Sequence, residues 1–251
     1  MAKAQRRAAV AVIGGTGLNK LPGLEIVGQR LVRTPYGEPS APIVFGQLEG
    51  HSIAFLARHG EGHKLPPHAI NYRANVYALK EVGAQRIIAV AAVGSMHKRF
   101  RPGEIAIPDQ LIDYTWGRAH SFADGDSESV QHAEFGQPYS EPLRKLLLAA
   151  ARRQRLKLWN RGVYGCTQGP RLETITEIRR MRRDGCDMVG MTGMPEAGLA
   201  RELGLDYACI AVSVNWAAGW GEGGIHEQIE QSVERGMTRV MRLLGAVLPR
   251  L

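Results

Sequence analysis

The chain has 251 residues, of which 44% are hydrophobic and 22% are charged, and its formal net charge is +8. This length and composition predict one globular domain over residues 1–251. The longest apolar runs are far too short to cross a bilayer, so we expect no membrane partner. The N-terminal apolar stretch runs into a glycine turn with no cleavage site, which predicts a first strand and a cytoplasmic location.

The cysteines and the basic residues exclude several function classes. Cys166, Cys186 and Cys209 are scattered through apolar stretches, which predicts buried reduced thiols and no disulfide framework. The only dense basic cluster is four arginines within residues 179–183, interleaved with apolar positions. That pattern is typical of a solvated helix face, so we expect no nucleic-acid partner.

Strands and helices alternate along the chain. The predicted strands are residues 8–15, 43–50, 51–58, 86–94, 104–114 with a bend at Pro108, 162–168, 186–191 and 206–215. The predicted helices are residues 71–82, 141–154, 174–183, 195–203 and 225–248. This order predicts an α/β fold with a mixed central sheet flanked by helices. The polar segment 122–137 is a long loop of the kind that is usually functional or mobile.

Ligands of such sheets bind at the carboxyl ends of the strands. Two segments that follow predicted strands here have residues suited to binding an anion. In the run Gly14-Gly15-Thr16-Gly17, glycine lets the backbone approach an anion and Thr16 adds a hydroxyl, although a tight turn explains the run equally well. Arg58 follows a second strand and suits bidentate contact with phosphate, the alternative being a surface arginine. His63 and His68 lack the spacing of a metal site, so we expect no metal.

Two further segments follow later strands, at residues 169–174 and 191–196. Thr192 precedes a predicted helix, whose amide donors and dipole favour an anion. Its other role is a plain N-cap, and the two roles can coexist. Asn215 ends the last predicted strand and delivers a polar side chain to the same edge.

The segments GGTG, LARHG, NYRAN, GPRLET and MTGMPE resemble the trimeric purine nucleoside phosphorylase superfamily in order and spacing. From about Val10 to Leu248 the chain is most similar to the methylthioadenosine/methylthioinosine phosphorylase branch. The resemblance implies a homotrimer with its site near the subunit boundary. It also implies an enzyme without cofactor or metal that takes inorganic phosphate as a co-substrate and a purine nucleoside as substrate.

The resemblance implies a role for each matching residue. Phosphate would be held by Thr16, Arg58, His59 and Thr192. The superfamily commonly has a hydroxyl residue where this chain has Ala91, so any phosphate contact there must come from the backbone.

Met191 would lie under the ribose, and Glu173 and Asn215 would meet the purine and stabilise it as it leaves. A carboxylate can accept the N1 proton of a 6-oxopurine but faces a lone pair on adenine. Adenosine-preferring members have an aspartate in place of Asn215 and another two residues later, where this chain has Ala217. The resemblance therefore favours 6-oxopurines over adenine.

The 5′ group of the ribose is expected to meet Ile225, His226 and Ile229. A methylthio group fits if the isoleucines face the site, and a hydroxyl fits if His226 does. We favour methylthioinosine, giving hypoxanthine and methylthioribose 1-phosphate. The alternatives are an inosine/guanosine phosphorylase and, in another class, a non-catalytic nucleotide- or RNA-binding module.

Overall fold

The computed structural model describes residues 7–18, 20–123, 125, 132–221 and 225–251, and for residues 225–228 it describes the backbone alone. A ten-stranded mixed sheet runs through this part of the chain. Its strands are β1 (Val10–Gly14), β2 (Glu25–Arg30), β3 (Ile43–Leu48), β4 (His51–Ala57), β5 (Arg86–Ser95), β6 (Ile105–Ala106), β7 (Gln110–Asp113), β8 (Val163–Cys166), β9 (Met188–Gly190) and β10 (Asp206–Trp216). The helices are α1 (Tyr72–Glu81), α2 (Glu141–Arg153), α3 (Ile175–Arg183), α4 (Gly193–Glu202) and α5 (Ile225–Val247), with 3₁₀ turns at Pro67–Ala69 and Leu248–Arg250. The predicted α/β fold with a mixed sheet and flanking helices is confirmed.

The strand order places four parallel strand ends side by side. The sheet runs β2-β3-β4-β1-β5-β9-β8-β7, and β10 pairs with β5 and with β6. Strand β1 is parallel to β4 and β5, and β5 is parallel to β10. Polar residues that follow β1, β4, β5 and β10 in the sequence therefore meet at one edge of the sheet.

Buried apolar residues fill these central strands, and the helices cover them. All five residues of β1 are buried, and β10 is buried except at its two ends. Helices α2 and α5 pack on each other and on β10, while α1 packs on α4. Side-chain caps fix three helix starts, because Asn71 accepts from Ala74 N, Ser140 accepts from Leu143 N, and Thr174 forms a capping box with Glu177.

Several elements differ from the prediction, each for a local reason. The predicted strand 104–114 is split at Pro108 into β6, which pairs with β10, and β7, which lies at the sheet edge beside β8. Helix α4 begins two residues before Pro195, with Met194 outside the helical region (φ −121°, ψ 143°). Strand β2 was not predicted, because this edge strand lacks apolar alternation and leaves Ile26 67% exposed.

Other predictions hold. The three cysteines are free and buried, and the arginines of residues 179–183 lie exposed on α3. The turn at Glu49-Gly50 joins β3 to β4 with positive φ at both residues, as a two-residue hairpin loop requires. None of the described helices is both long and apolar enough to cross a membrane.

Gly14, at the end of β1, has no room for a side chain. A Cβ there would lie 2.1 Å from the carbonyl oxygen of Leu18 and 2.8 Å from the ring of Phe55. We expect Gly14→Ala to lower the free energy of unfolding by about 1–3 kcal/mol, measured by urea denaturation. The control is Gly136→Ala, since a Cβ at Gly136 meets nothing within 4 Å. Equal stability of the two variants would contradict the prediction.

Candidate active site

A cavity of about 600 Å³ lies at the carboxyl ends of the four parallel strands. Nine predicted site residues line it: Thr16, Arg58, His59, Glu173, Met191, Thr192, Asn215, Ala217 and Ile229. Ile225 and His226 begin α5, but their side chains lie outside the described part of the chain. The prediction did not include the segment 63–67, Leu172, Val189 or Ala218, which also line the cavity. These are largely apolar walls, which carry no chemical signal in a sequence.

The glycine run after β1 forms a tight turn against Arg58. Leu18 N donates to the Gly15 carbonyl oxygen at 2.9 Å. A Cβ on Gly15 would lie 2.7 Å from the Val90 carbonyl oxygen and 2.9 Å from Nη1 of Arg58. Glycine is therefore needed for the guanidinium to lie where it does, and Thr16 is left exposed beside the cavity.

Arg58 is a buried arginine with an intramolecular partner. It is 1% exposed, so the surface alternative is wrong. Nε donates to Oε2 of Glu196 at 2.7 Å and Nη2 to Oε1 at 2.8 Å, while Nη1 donates to the Val90 carbonyl oxygen at 2.9 Å. Burial opposes the charged form, but the Glu196 carboxylate outweighs it and raises the pKa of Arg58 above its usual value. Glu196 therefore occupies the Nε/Nη2 edge of the guanidinium, and only hydrogens on Nη1 and Nη2 are left for the expected phosphate contact.

His59 is held as a neutral ring. Its Nδ1 donates to the Leu65 carbonyl oxygen at 2.8 Å, and its ring stacks on that of His63 with centroids 4.2 Å apart. Burial, followed by the charge of Arg58, lowers the pKa of His59 to about 4. At neutral pH, Nε2 of His59 therefore carries no proton and can accept a hydrogen bond.

Thr192 occupies the N-cap position of α4, but its side chain makes no capping hydrogen bond. The plain capping role is thus wrong. The residue is buried and lines the cavity, beside the first amides of α4. Because a helix start carries partial positive charge, this position suits an anion in the cavity.

Glu173 and Asn215 reach the same cavity, each held by one hydrogen bond. Oε1 of Glu173 accepts from the Thr167 hydroxyl at 2.6 Å. Asn215 follows a register shift in β10, and its Nδ2 donates to the Trp216 carbonyl oxygen at 2.6 Å. A bulge of this kind redirects the side chain that follows it. After these bonds, Oε2 of Glu173 can still accept a hydrogen bond. Asn215 can still donate through its second Nδ2 hydrogen and accept through Oδ1.

Arg118 links the two loops that carry these groups. Its guanidinium donates to the carbonyl oxygens of Met191 at 2.9 Å, Met194 at 2.6 Å and Gln168 at 2.8 Å, and to that of Thr167 at 3.3 Å. A lone arginine in a polar segment gives no sequence signal, because its carbonyl partners are brought to it only by the fold.

The cavity wall beside Met191 is closely packed. A Cβ on Gly169 would lie 2.5 Å from Sδ of Met191, so only glycine at position 169 lets this loop approach Met191 so closely. The long loop 122–137 is described in part, with residues 124 and 126–131 outside the description. Each end of the loop makes a hydrogen bond to a neighbouring element. Phe122 N donates to the Glu202 carboxylate at 2.8 Å, and Nε2 of Gln110 donates to the Gly136 carbonyl oxygen at 2.9 Å. The functional or mobile character expected of this loop stays a prediction.

Within the described ranges, no group of three or more His, Cys, Asp or Glu residues is arranged to hold a metal ion. The absence of a metal and of a cofactor stays a prediction.

A family model described as the phosphorylase superfamily matches residues 9–249. The chain belongs to the phosphorylase superfamily. It is 59% identical to a probable S-methyl-5′-thioinosine phosphorylase of Xanthomonas campestris pv. campestris, over 85% of this chain and 86% of the relative. It is 44% identical to a 6-oxopurine nucleoside phosphorylase of Pyrococcus furiosus, over 96% of this chain and 92% of the relative.

A solved member of the superfamily has the same fold. The methylthioadenosine phosphorylase of Schistosoma mansoni, in complex with adenine, superposes with a TM-score of 0.89 and is 32% identical. The match covers 97% of this chain and 91% of that one. With the family established, the alternative of a non-catalytic nucleotide- or RNA-binding module is set aside.

The neutral state of His59 predicts a pH dependence of this phosphorylase. The pKa of His59 is about 4 in the folded chain, against an ordinary value of 6.5 that applies to the unfolded chain. As the pH falls, His59 is therefore protonated in the unfolded chain before it is protonated in the folded one. The contribution of His59 to stability is complete above pH 6.5 and is lost as the pH falls towards 4. We expect His59→Asn, whose amide can replace the Nδ1 donor, to lose less stability than the native chain over this window.

Thermal unfolding at intervals from pH 7 to pH 4 measures the difference. His68→Asn is the control, since His68 is exposed, and its pH profile should match that of the native chain. A His59→Asn profile parallel to the native one would contradict the prediction.

Proposed function

We propose that this phosphorylase cleaves S-methyl-5′-thioinosine with inorganic phosphate to give hypoxanthine and S-methyl-5-thioribose 1-phosphate. The observation that carries the proposal is the single cavity in which Thr16, Arg58 and Thr192 adjoin Glu173 and Asn215. Hydrogen-bond donors suited to phosphate and groups suited to a purine edge thus share one space. The names of the relatives from Xanthomonas campestris and Pyrococcus furiosus support the same reaction type and a 6-oxopurine base.

Phosphate binds as the dianion HPO4²⁻ between Thr16, Arg58, His59 and Thr192, beneath the ribose, which rests on Met191. Nε2 of His59 carries no proton, so it accepts a hydrogen bond from the remaining P–OH of the dianion. The bond from the anomeric carbon to N9 stretches, the ribose gains oxocarbenium character, and the phosphate dianion stabilises the positive charge. A phosphate oxygen then bonds to the anomeric carbon with inversion, while the bonding electrons leave with the purine. The phosphate group loses its remaining proton on becoming the ester dianion, and the purine anion gains one proton to leave as neutral hypoxanthine. Catalysis is positioning and electrostatic stabilisation in a closed space, without cofactor or metal.

The purine takes up the negative charge and is read at two points. The Nδ2 hydrogen of Asn215 that is not bonded to Trp216 donates to O6 or N7, and the oxygen of Glu173 not bonded to Thr167 accepts the N1 proton. Adenine presents a lone pair at N1 in place of that proton. An unpaired buried polar group costs about 1–3 kcal/mol, which is roughly one to two decades in selectivity.

The apolar side chain of Ile229 in the cavity wall favours a methylthio group at the 5′ position. An inosine/guanosine phosphorylase is the second candidate, supported by the 6-oxopurine nucleoside phosphorylase among the relatives.

We also propose that the chain acts as a cytoplasmic homotrimer. Leu172, which lines the cavity, is 46% exposed, and Ile175 is 48% exposed at the start of α3. Contact with a neighbouring chain would cover these apolar groups near the cavity. A solution mass equal to a single chain of 27.5 kDa would contradict the trimer.

The direct test is release of free base from methylthioinosine, inosine and methylthioadenosine, each with and without phosphate. We expect release only with phosphate and the highest kcat/KM for methylthioinosine. A higher kcat/KM for inosine would favour the second candidate. Equal rates without phosphate would make the protein a hydrolase and overturn the proposal.

The base preference is tested at Glu173. Glu173→Gln replaces the acceptor by an amide that can also donate to N1 of adenine, so it should lower kcat/KM for methylthioinosine by about 10- to 100-fold. The ratio of methylthioinosine to methylthioadenosine turnover should fall with it. Glu230→Gln, at an exposed position on α5, is the matched control and should leave both values unchanged. An unaltered ratio in Glu173→Gln would remove Glu173 from base recognition.

A further inference from the structure

We infer that Glu196 and Tyr207 are positioning residues that set the phosphate affinity of this enzyme, by fixing which hydrogens of Arg58 face the cavity. The inference rests on the proposed phosphate-binding role of Arg58. Neither Glu196 nor Tyr207 lines the cavity, so each acts only through another side chain.

Glu196 takes one whole edge of the guanidinium. Its side chain is fully buried, and its two oxygens accept from Nε and Nη2 of Arg58 at 2.7 and 2.8 Å. The two residues are 138 positions apart in the chain, so the pair joins the end of β4 to the first turn of α4. A planar bidentate pair of this kind fixes orientation as well as distance.

The remaining hydrogens of Arg58 are thereby assigned. A guanidinium has five N–H hydrogens. Nε and Nη2 each give one to Glu196, and Nη1 gives one to the Val90 carbonyl oxygen. One hydrogen on each Nη is left, and Arg58 is part of the cavity wall. These two hydrogens form the contact available to a phosphate, and their direction depends on Glu196.

Tyr207 holds the carboxylate in turn. Its hydroxyl donates to Oε1 of Glu196 at 2.8 Å, inside the fully buried part of β10. The result is a chain of contacts from Tyr207 through Glu196 to Arg58 and the cavity.

A purely structural role explains this arrangement less well. Burying two charges carries a desolvation penalty that a buried ion pair often fails to recover, so apolar residues of similar volume would stabilise the fold equally or better. The pair lies at the cavity, where a fixed arginine has a chemical use.

Tyr139 provides a matched control. Its ring lies 6.1 Å from that of Tyr207, centroid to centroid, and it is equally buried. Its hydroxyl has no hydrogen-bond partner among the described residues. Tyr139→Phe and Tyr207→Phe therefore remove the same atom from neighbouring rings, and only the second removes a bond to Glu196.

The experiment measures the KM for phosphate, the KM for methylthioinosine and the phosphate-induced rise in Tm of the intact enzyme. In Tyr207→Phe we expect the phosphate KM to rise about 2- to 10-fold, as the loss of one hydrogen bond implies, with the nucleoside KM little changed. Glu196→Gln, which sets an amide donor against the arginine, should raise the phosphate KM further. In both variants the phosphate-induced rise in Tm should shrink, and in Tyr139→Phe it should stay at the native value.

The outcomes separate this inference from the proposed function. No rise in Tm with phosphate in the native enzyme, and no phosphate-dependent turnover, would overturn both. A native response to phosphate that persists unchanged in Tyr207→Phe and Glu196→Gln would overturn the positioning role alone, even if both variants unfold at a lower temperature. If Glu196→Gln does not fold, the comparison of the two Tyr→Phe variants still decides.

Discussion

The buried ion pair between Arg58 and Glu196 links the two halves of the cavity wall. Because the guanidinium lies across the carboxyl edge of the sheet, Gly15 must lack a side chain and the Val90 carbonyl must point at Nη1. The pair also cancels its own charge, and His59 beside it is neutral. Under the proposed function, the cavity therefore binds phosphate through directed hydrogen bonds and the start of α4, and less through an excess of positively charged side chains.

Much of the fold and most of the cavity could be predicted because they follow from local patterns. Long apolar runs indicate buried parallel strands, and polar residues such as Thr16, Arg58 and Asn215 follow those strands directly, so the rule of strand ends brings them together. The edge strand β2 escaped prediction because it is exposed and has no alternation to detect.

The partners of these residues could not be predicted in the same way. Glu196 in a first helical turn is typical of any helix start, and nothing in the sequence links it to an arginine 138 positions earlier. Arg118 likewise binds backbone carbonyls, which every residue carries. Side chains that act on a ligand leave a pattern at strand ends, whereas those that hold them depend on tertiary contacts.

The location of Asn215 and Ile229 on different elements has a consequence for altering this enzyme. Asn215 belongs to a buried central strand, β10. An insertion or deletion there would shift the pairing of β10 with β5 through the core. Ile229 lies on α5, beyond the connection that follows the strand. Under the proposed function, base choice is thus open to point substitution alone, whereas the residue that faces the sugar lies on a separate helix and can be replaced without disturbing that register.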